Sequence, residues 1–443
     1  MSREDGTATS TLDEIRERLE EGAMSPMQWR AVAVAIGISI VDGYDVLSAT
    51  FVIPVLQQEW GLEPSRLGAI LASSLFGMAL GSFLIAPLAD LYGRRPLILA
   101  ALGMAATGML MAAHSSSLNA LIICRAVTGL SVGTIMAVMS PVAAESTNKR
   151  RRALAISLIV IGFPIGGMLA GLTATLFFES FGWRIEFLVG AGLTAAMIPA
   201  VLLFLPEPLQ SLLARAVPNR HARVNAMLQR LGHAPVDHLP PPVSRQRSYS
   251  AVFAPGQRAV TIWIATFQLI LMQTVLFGGY WMPQIAASAG ADTTTASLVG
   301  TIAIAAGIAG GLAFGSVTNT GNIYRMTMLT VLCLAIATAA IGLVPASPVM
   351  FIVVAAFHGI FGSASQAGFY TIVPSCFQPE ARATGVGFVL GIARLGSATS
   401  PLIAGGLFSA GLDREVVCAC FAAFALVAAS MFLVQPPGAK TLK

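Results

Sequence analysis

The sequence predicts an all-α polytopic membrane protein, with twelve transmembrane helices in two pseudo-symmetric halves of six. Of the 443 residues, 56% are hydrophobic and only 11% are charged, whereas roughly a quarter are charged in soluble domains. The apolar runs continue for about 20 residues, the length that crosses a bilayer as a helix, and they lack the alternation of barrel strands. A polar segment separates two sets of six runs.

The first apolar run covers about residues 29–56, after an N-terminal tail (residues 1–28) whose segment 12–21 has apolar residues at helical spacing. Eleven runs follow, at about 66–89, 96–113, 118–141, 153–178, 184–205, 258–283, 294–318, 324–344, 349–376, 381–408 and 412–434. We therefore assign residues 29–205 to an N-terminal six-helix bundle and 258–434 to a C-terminal one. Residues 206–257, rich in Pro and Arg, form a linker with a short helix near 220–231, and 435–443 form a tail.

The loop charges predict the orientation of the chain in the membrane. With the N-terminus inside, the cytoplasmic loops receive Arg94, Arg95, the basic run from Lys149 to Arg152 and the linker arginines. The outer loops receive only Arg66, Arg184 and Arg414. Because short cytoplasmic loops carry an excess of Lys and Arg, we expect both termini and the linker to be cytoplasmic.

Two carboxylates, Asp42 and Asp45, lie in the middle of the first run. An ionised Asp at the centre of a membrane helix costs about 2.5–3.5 kcal/mol on insertion scales. At this spacing both side chains share one helix face, and Gly43 between them permits close approach of a neighbouring helix or a ligand. We interpret the pair as functional; the alternative is a hydrogen bond between helices that only fixes packing.

Two arginines lie inside apolar runs. Arg125 is roughly 10 Å from the outer end of its helix and Asp45 roughly 22 Å from the inner end of its own, so their depths nearly coincide in a core of about 30 Å. We predict that they pair, either in a transport role or as a static structural pair.

Arg394 is also near the midplane, with no acid at that depth in its own half. We infer that its counter-ion is Asp42 or the substrate, which points to an organic anion as cargo.

A short segment with residues suited to a tight turn follows the second run. Gly93 permits a tight turn between two helices, and Asp90 can accept hydrogen bonds from a helix start or from a nearby Arg, so that it latches the cytoplasmic side. Arg94 and Arg95 complete the turn, and Glu145 precedes the next basic run and is assigned to the same gate. The alternative is plain positive-inside topology with an ordinary interfacial acid.

The two halves look like copies of each other. The fifth run opens at Arg152 and contains Pro164. The eleventh run opens at Arg382, and Arg394 lies as far from that opening as Pro164 lies from Arg152. Internal repeats with a site between them near the midplane are typical of alternating-access transporters.

The string from Ala86 to Arg95 resembles the loop signature of the major facilitator superfamily, Gly-x-x-x-Asp-Arg-x-Gly-Arg-Arg, with departures at Ala86 and Leu91. In the fourth run, Arg125 followed by Gly129 and Gly133 resembles the superfamily's second signature.

The stretch Asp42-Gly43-Tyr44-Asp45 resembles the Asp-Gly-aromatic-Asp signature of the aromatic acid:proton symporters, the 4-hydroxybenzoate and protocatechuate transporters among them. Similarity also covers the segment from Arg382 to Gly396, and it extends over nearly all twelve helices. The resemblance implies that transport requires Asp42, Asp45, Asp90, Arg125 and Arg394.

In the superfamily's architecture the first, fourth, seventh and tenth helices line a central cavity. The resemblance therefore implies a substrate site with further contacts from Tyr44, Gln268, Gln273, Tyr280, Phe357, His358, Phe361 and Gln366. The aromatic residues among them have the alternative of facing lipid, and His358 either titrates near neutral pH or only bonds a backbone carbonyl.

The resemblance implies import of a small aromatic carboxylate by proton symport through the inner membrane of a bacterium. The expected partners are the carboxylate, protons and the lipid bilayer, and we expect no binding of nucleic acid. We expect the protein to be a monomer. Neither a nucleophile–base set nor a metal-ligand cluster is found, so we expect no enzyme and no cofactor or metal beyond the proton gradient. The alternatives are transport of another organic anion, export of metabolites or drugs, and a membrane chemosensor for aromatic acids.

Overall fold

The computed structural model describes residues 21–22, 24–214, 219–230, 235–236, 239, 252–255, 257–317, 322–345, 347–378 and 382–433. Within these ranges, the side chains at positions 90, 140, 141, 143–145, 153, 210, 214 and 383 lie outside the description. The tail segment expected to be helical falls almost entirely outside it, as do most of the linker and the C-terminal tail.

Within the described ranges, twelve helices are long and apolar enough to cross a membrane, which confirms the predicted number and fold class. Their bounds are α1 Pro26–Trp60, α2 Pro64–Leu80, α3 Arg94–Ala113, α4 Leu118–Glu145, α5 Lys149–Phe181, α6 Arg184–Phe204, α7 Arg258–Ser288, α8 Thr293–Val317, α9 Ile323–Leu343, α10 Pro348–Ile372, α11 Arg382–Ser409 and α12 Arg414–Ser430. The chain is thus a multi-pass membrane protein.

The first helix shows how local chemistry sets these bounds. Ser25 accepts a hydrogen bond from the backbone N–H of Gln28 (3.3 Å), and the Gln28 side chain accepts one from the backbone N–H of Ser25 (2.8 Å). This reciprocal pair, a capping box, satisfies two otherwise unpaired donors. At the other end, Gly61 has a φ of 61°, the left-handed conformation that ends helices.

The helix packing repeats between the two halves. In the first half, α1 packs on α5 and α6, α2 on α4, and α3 on α4 and α6. Each of these pairs recurs six helices later, as α7 on α11 and α12, α8 on α10, and α9 on α10 and α12. The internal copy suggested by the sequence is therefore present as a repeated arrangement of helices.

The halves contact each other through α2 and α11, α5 and α8, and α1 and α7. We call the end of the bundle with the α1–α2 turn the distal end and the opposite end, with the N-terminus and the linker, the linker end. Three hydrogen bonds join the halves at the distal end. The Ser65 N–H donates to Ser409 Oγ (2.8 Å), Thr294 Oγ1 donates to Glu179 (3.2 Å), and the Gln284 amide donates to Gln57.

A short linker helix, Arg220–Arg230, occupies the position that the sequence predicts for it. Its apolar side packs against a second short helix, Leu209–Ala214, in a small cluster of Leu209, Leu212, Val224, Met227 and Leu228. Met27, at the start of α1, packs against this cluster. The two short helices of the linker are therefore attached to the first half of the bundle.

Candidate functional site: buried charges between the two halves

The centre of the site is an ion pair between α1 and α4. Arg125 Nη1 lies 2.5 Å from Asp45 Oδ1, and the two residues are 0% and 1% exposed. Arg125 Nη2 also donates to the Asp45 carbonyl (2.7 Å) and contacts Ser74 Oγ of α2 at 3.4 Å. The pairing predicted from helix depths is thus present. Charges removed from water in this way are compensated only by close mutual contact and additional hydrogen bonds.

The pair retains unused hydrogen-bonding capacity. Asp45 Oδ2 and Arg125 Nε are buried without a partner. The Arg125 guanidinium also lies 5.7 Å from the centre of the Phe187 ring on α6, a cation–π distance. An acceptor that is buried and unpaired costs free energy, so Asp45 is suited to take up a proton or another donor.

Asp42 lies one turn from Asp45 toward the linker end and is 4% exposed. Between them, Gly43 is pressed against α5: a Cβ added there would lie 1.9 Å from the Phe163 carbonyl oxygen. The close helix approach that the sequence suggested for Gly43 is therefore real, and the neighbour is a helix of the same half.

Tyr44 is buried within the first half, and its ring contacts α6. Its hydroxyl donates to the backbone carbonyl of Glu186 (3.1 Å). Glu186 is itself 0% exposed, and neither of its carboxylate oxygens has a hydrogen-bond partner. The sequence analysis did not single out Glu186, because it lies two residues after Arg184 at the expected outer end of α6, where an acid looks interfacial.

The second half contributes Tyr280 to the neighbourhood of the ion pair. Its side chain, 3% exposed, lies within the electrostatic reach of both Arg125 and Asp45. Because Tyr280 belongs to α7, it brings a hydroxyl from the C-terminal half to a charge pair of the N-terminal half. Its contact with a substrate stays a prediction.

Two glutamines of α7, Gln268 and Gln273, bond to other helices of the second half. Gln268 donates to Gln366 of α10 (2.9 Å), while Gln268 Oε1 and Gln366 Nε2 stay unpartnered. Gln273 donates to the Gly396 carbonyl (2.7 Å) and to Thr399 Oγ1 (3.0 Å) on α11. Gln273 thus holds the helix of Arg394, and the first pair leaves one acceptor and one donor unused.

His358 and the phenylalanines near it lie in different environments. The His358 ring packs on Gly278 of α7 with its Nε2 unpartnered. Phe357 is 50% exposed and stacks on Phe361 at 6.1 Å between ring centres. Phe357 continues an exposed apolar stripe through Met350 and Val353. That stripe is typical of a lipid-facing surface, the alternative considered for the aromatic residues.

Arg394 reaches across the boundary between the halves. Its Nη1 donates to Ser82 Oγ, on the π-helical segment Gly81–Ile85 that continues α2. Its charge also acts on the phenol of Tyr370 of α10. Among the side chains that the structure describes, Arg394 forms no ion pair, with Asp42 or any other acid. Ser82 and Tyr370 escaped the sequence analysis because a lone hydroxyl in an apolar run gives no distinctive signal.

At the linker end, Gly93 forms the predicted turn, with a φ of 104° that favours glycine. The backbone N–H groups of Arg94 and Arg95 donate to the two carboxylate oxygens of Glu207, at 2.8 and 2.9 Å. Glu207 thus caps the start of α3, a role that the sequence analysis did not foresee. The side chains of Asp90 and Glu145 lie outside the described residues.

Two repeated six-helix halves, with a buried ion pair inside the first and Arg394 at the boundary between them, are the architecture of a membrane transporter. The sequence profile of the Major Facilitator Superfamily matches residues 34–345 and 262–443. The chain belongs to this superfamily, which is one of transporters and not of enzymes.

Among curated proteins, the chain is 27% identical to the 4-hydroxybenzoate transporter PcaK of Pseudomonas aeruginosa over 93% of each chain. It is 25% identical to the gallate transporter of Pseudomonas putida over 91% of each. It is 26% identical to the 3-(3-hydroxy-phenyl)propionate transporter of Escherichia coli, over 88% of this chain and 90% of that protein.

Two solved structures are similar in fold. One is the nucleoside transporter NupG, with a TM-score of 0.70, 14% identity and coverage of 91% of this chain and 99% of that one. The other is a bacterial homologue of the human lysosomal transporter Spinster, with a TM-score of 0.72, 16% identity and coverage of 93% and 97%. At these identities the likeness supports the fold alone.

Proposed function

We propose that this protein is a secondary active transporter that imports an aromatic carboxylate together with protons, by alternating access, through the inner membrane of a bacterium. The observation that carries the proposal is Arg394, an arginine inside the bundle whose hydrogen-bond partner is a neutral hydroxyl. An arginine in the membrane without a counter-ion is costly. A substrate carboxylate supplies that counter-ion through two parallel hydrogen bonds. Relatives that carry hydroxybenzoate and gallate support an aromatic acid as this carboxylate.

Proton coupling is assigned to Asp45 and Asp42. Asp45 binds Arg125 in the structure. A proton on Asp45 removes its charge and weakens that bond, so Arg125 becomes available for a second negative group. Because each step changes which charge an arginine faces, substrate binding and protonation are linked.

The transport cycle follows from this linkage. With the outer side open, a proton binds at Asp45 or Asp42, and the carboxylate binds Arg394 or Arg125, with its ring among neighbouring aromatic and Gln side chains. The loaded site is charge-balanced, which permits the two halves to rock. Release of the proton to the cytoplasm restores the attraction between Asp45 and Arg125 and expels the anion.

The distal end is assigned to the outside of the cell and the linker end to the cytoplasm, because Arg and Lys concentrate in the loops of the linker end. The three hydrogen bonds between the halves at the distal end then close the outer side. On this assignment the structure corresponds to a state closed to the outside. Asp90, Gly93, Arg94, Arg95 and Glu145 are proposed to form the cytoplasmic gate.

The test is uptake of labelled aromatic acids into expressing cells, with and without a protonophore. The panel holds 4-hydroxybenzoate, protocatechuate, vanillate, gallate, the phthalate isomers and muconate. We expect uptake of at least one member, abolished by the protonophore. No uptake of any member, with intact protein in the membrane, would overturn the assignment of an aromatic acid.

Asp45→Asn provides the matched variant, because it removes the charge with almost no change in shape. We expect it to abolish accumulation driven by the proton gradient while the protein still reaches the membrane. Accumulation at the wild-type level would contradict the role of Asp45 in proton coupling.

A further inference from the structure

The hydrogen bond between Arg394 and Ser82 is unlike the three bonds between the halves that are described at the distal end. One of those three joins the Ser65 N–H to Ser409. Ser82 is seventeen residues further along the chain than Ser65, roughly 25 Å deeper at 1.5 Å per residue. This bond therefore joins the halves deep in the bundle, and it does so through a charged side chain.

The Ser82 hydroxyl acts as the acceptor in this bond. It has a single proton, for which the carbonyls of Met78 (2.8 Å) and Gly133 (2.9 Å) compete. Its lone pairs therefore serve the Arg394 guanidinium. A neutral hydroxyl offers one weak contact, whereas a carboxylate offers two charge-assisted ones. An incoming carboxylate therefore outcompetes Ser82, and Ser82 keeps its carbonyl bond when displaced.

The backbone at Ser82 is specialised. Residues 81–85 form a π-helical turn at the end of α2, a feature found frequently at functional sites. On the same turn, the Phe83 ring packs against Gly391, where an added Cβ would lie 2.6 Å from the ring. Gly391 is one turn before Arg394 on α11. The π-turn thus contacts α11 through a polar and an apolar side chain in succession.

The buried Arg125 and the half-buried Arg394 both contact α2 or the π-helical turn that continues it. Arg125 contacts Ser74 (3.4 Å), and Arg394 contacts Ser82. These serines are eight residues apart, roughly 12 Å along the helix. Arg125 has an acid as well, but Arg394 depends on its hydroxyl. Of the two arginines, Arg394 is therefore the one whose partner is a neutral group in a position that an anion could take.

We propose that Ser82 is a positioning residue that occupies Arg394 in the substrate-free carrier, in place of the substrate's carboxylate, and so permits the empty carrier to reorient. This inference rests on the proposed function, since it takes the cargo to be a carboxylate. This role of Ser82 affects net uptake and exchange differently. Net uptake requires the empty carrier to return, whereas exchange of internal for external substrate uses only the loaded carrier.

The experiment compares the wild type and Ser82→Ala in proteoliposomes, with labelled 4-hydroxybenzoate as the probe. We expect exchange to stay within about twofold of the wild type. Net uptake should fall about tenfold, the effect of losing one hydrogen bond to a charged group. The apparent Kd for 4-hydroxybenzoate should fall, because the carboxylate no longer displaces a partner of Arg394.

Two variants on the same helix serve as controls. Ser73→Ala removes a hydroxyl that bonds only to the Ile70 carbonyl of its own helix, and both fluxes should stay unchanged. Ser82→Thr retains the acceptor and should restore net uptake. Ser82→Cys, with a weaker acceptor, provides a second test if the Ala variant fails to assemble.

Equal loss of exchange and net uptake in Ser82→Ala, or unchanged net uptake, would overturn the role of Ser82 and leave the proposed function intact. Absence of both fluxes in the wild type for every acid of the uptake panel would overturn the proposed function itself, and the inference with it.

Discussion

Arg125 and Asp45 form a buried ion pair that joins α4 to α1, with 2.5 Å between Nη1 and Oδ1. The arginine also bonds to the backbone carbonyl of the same aspartate at 2.7 Å. One guanidinium thus contacts both the titratable group of α1 and the backbone of that helix. A change in the charge of Asp45 therefore alters a contact that positions α1 against α4.

This arrangement predicts different effects for breaking the pair and for removing it. Arg125→Met alone leaves Asp45 buried without its partner, and removal of one member of a buried pair costs about 3–5 kcal/mol. The double variant Arg125→Met/Asp45→Asn removes both charges. We expect the single variant to have the lower thermal midpoint in detergent, and the double variant to recover most of the loss. Equal midpoints would contradict a stabilising role for the contact.

An uptake assay can distinguish the contribution of the positive charge of Arg125 from that of its guanidinium geometry. Arg125→Lys keeps the positive charge, but its ammonium cannot contact Asp45 Oδ1 and the Asp45 carbonyl as a rigid fork does. We expect assembled protein with uptake at least tenfold below the wild type, measured at matched amounts in the membrane. Uptake near the wild-type level would indicate that charge alone suffices.

Gly43 should tolerate no side chain. A Cβ at this position would lie 1.9 Å from the Phe163 carbonyl oxygen, so Gly43→Ala must separate α1 from α5. We expect a clear fall in the thermal midpoint and in transport. Gly192→Ala on α6 is the matched control, because a Cβ there meets nothing within 4 Å. In a helix that change is worth about 0.8–1 kcal/mol in favour of Ala, so the control should be neutral or slightly more stable.

Glu186 should tolerate loss of its charge but not its reversal. Neither carboxylate oxygen has a partner, and the residue is fully buried. Glu186→Gln preserves shape without an ionisable group, and its thermal midpoint should equal or exceed that of the wild type. Glu186→Lys places an uncompensated cation in the same space and should impair folding. A strongly destabilised Gln variant would show that the carboxylate itself is required.

The distal contact between Gln57 and Gln284 predicts a cross-link between the halves. The two side-chain amides are hydrogen-bonded, so thiols placed by the double variant Gln57→Cys/Gln284→Cys should be bridged by a short bis-methanethiosulfonate reagent that spans the space of the two longer side chains. If this end must open during transport, the cross-linked protein should lose uptake and regain it with reductant. Each single Cys variant is a control for the native thiols. Full uptake by fully cross-linked protein would exclude opening at this end.

We expect Asp292, in the turn before α8, to make the stability of the protein depend slightly on pH. Hydrogen bonds from Thr295, chiefly its side chain, hold the pKa of Asp292 below its usual value. A carboxyl whose pKa is lowered by folding stabilises the protein above its unfolded pKa, and this contribution is lost as the pH falls through the lowered pKa. The thermal midpoints of the wild type and Asp292→Ala should therefore differ at neutral pH and converge in acid. A difference that stays constant with pH would contradict this origin.

The sequence by itself determined the twelve membrane helices, their order and their division into two sets of six. The reason is that continuous apolar runs of bilayer length have only one stable form in lipid, the helix with all its backbone hydrogen bonds internal. The sequence also brought Asp45 and Arg125 to a common depth, because depth in a straight helix follows from counting residues.

Only the tertiary structure decided which neighbour each polar side chain meets. Counting residues gives the depth of a side chain but not its direction around the helix axis, so it did not reveal that Arg394 bonds to Ser82 of the other half. Glu186 looked interfacial and is fully buried, since the tilt and packing of neighbouring helices set its surroundings. Phe357 falls on a lipid-facing stripe for the same reason. Those directions depend on how twelve helices pack together, and no single run of sequence contains that information.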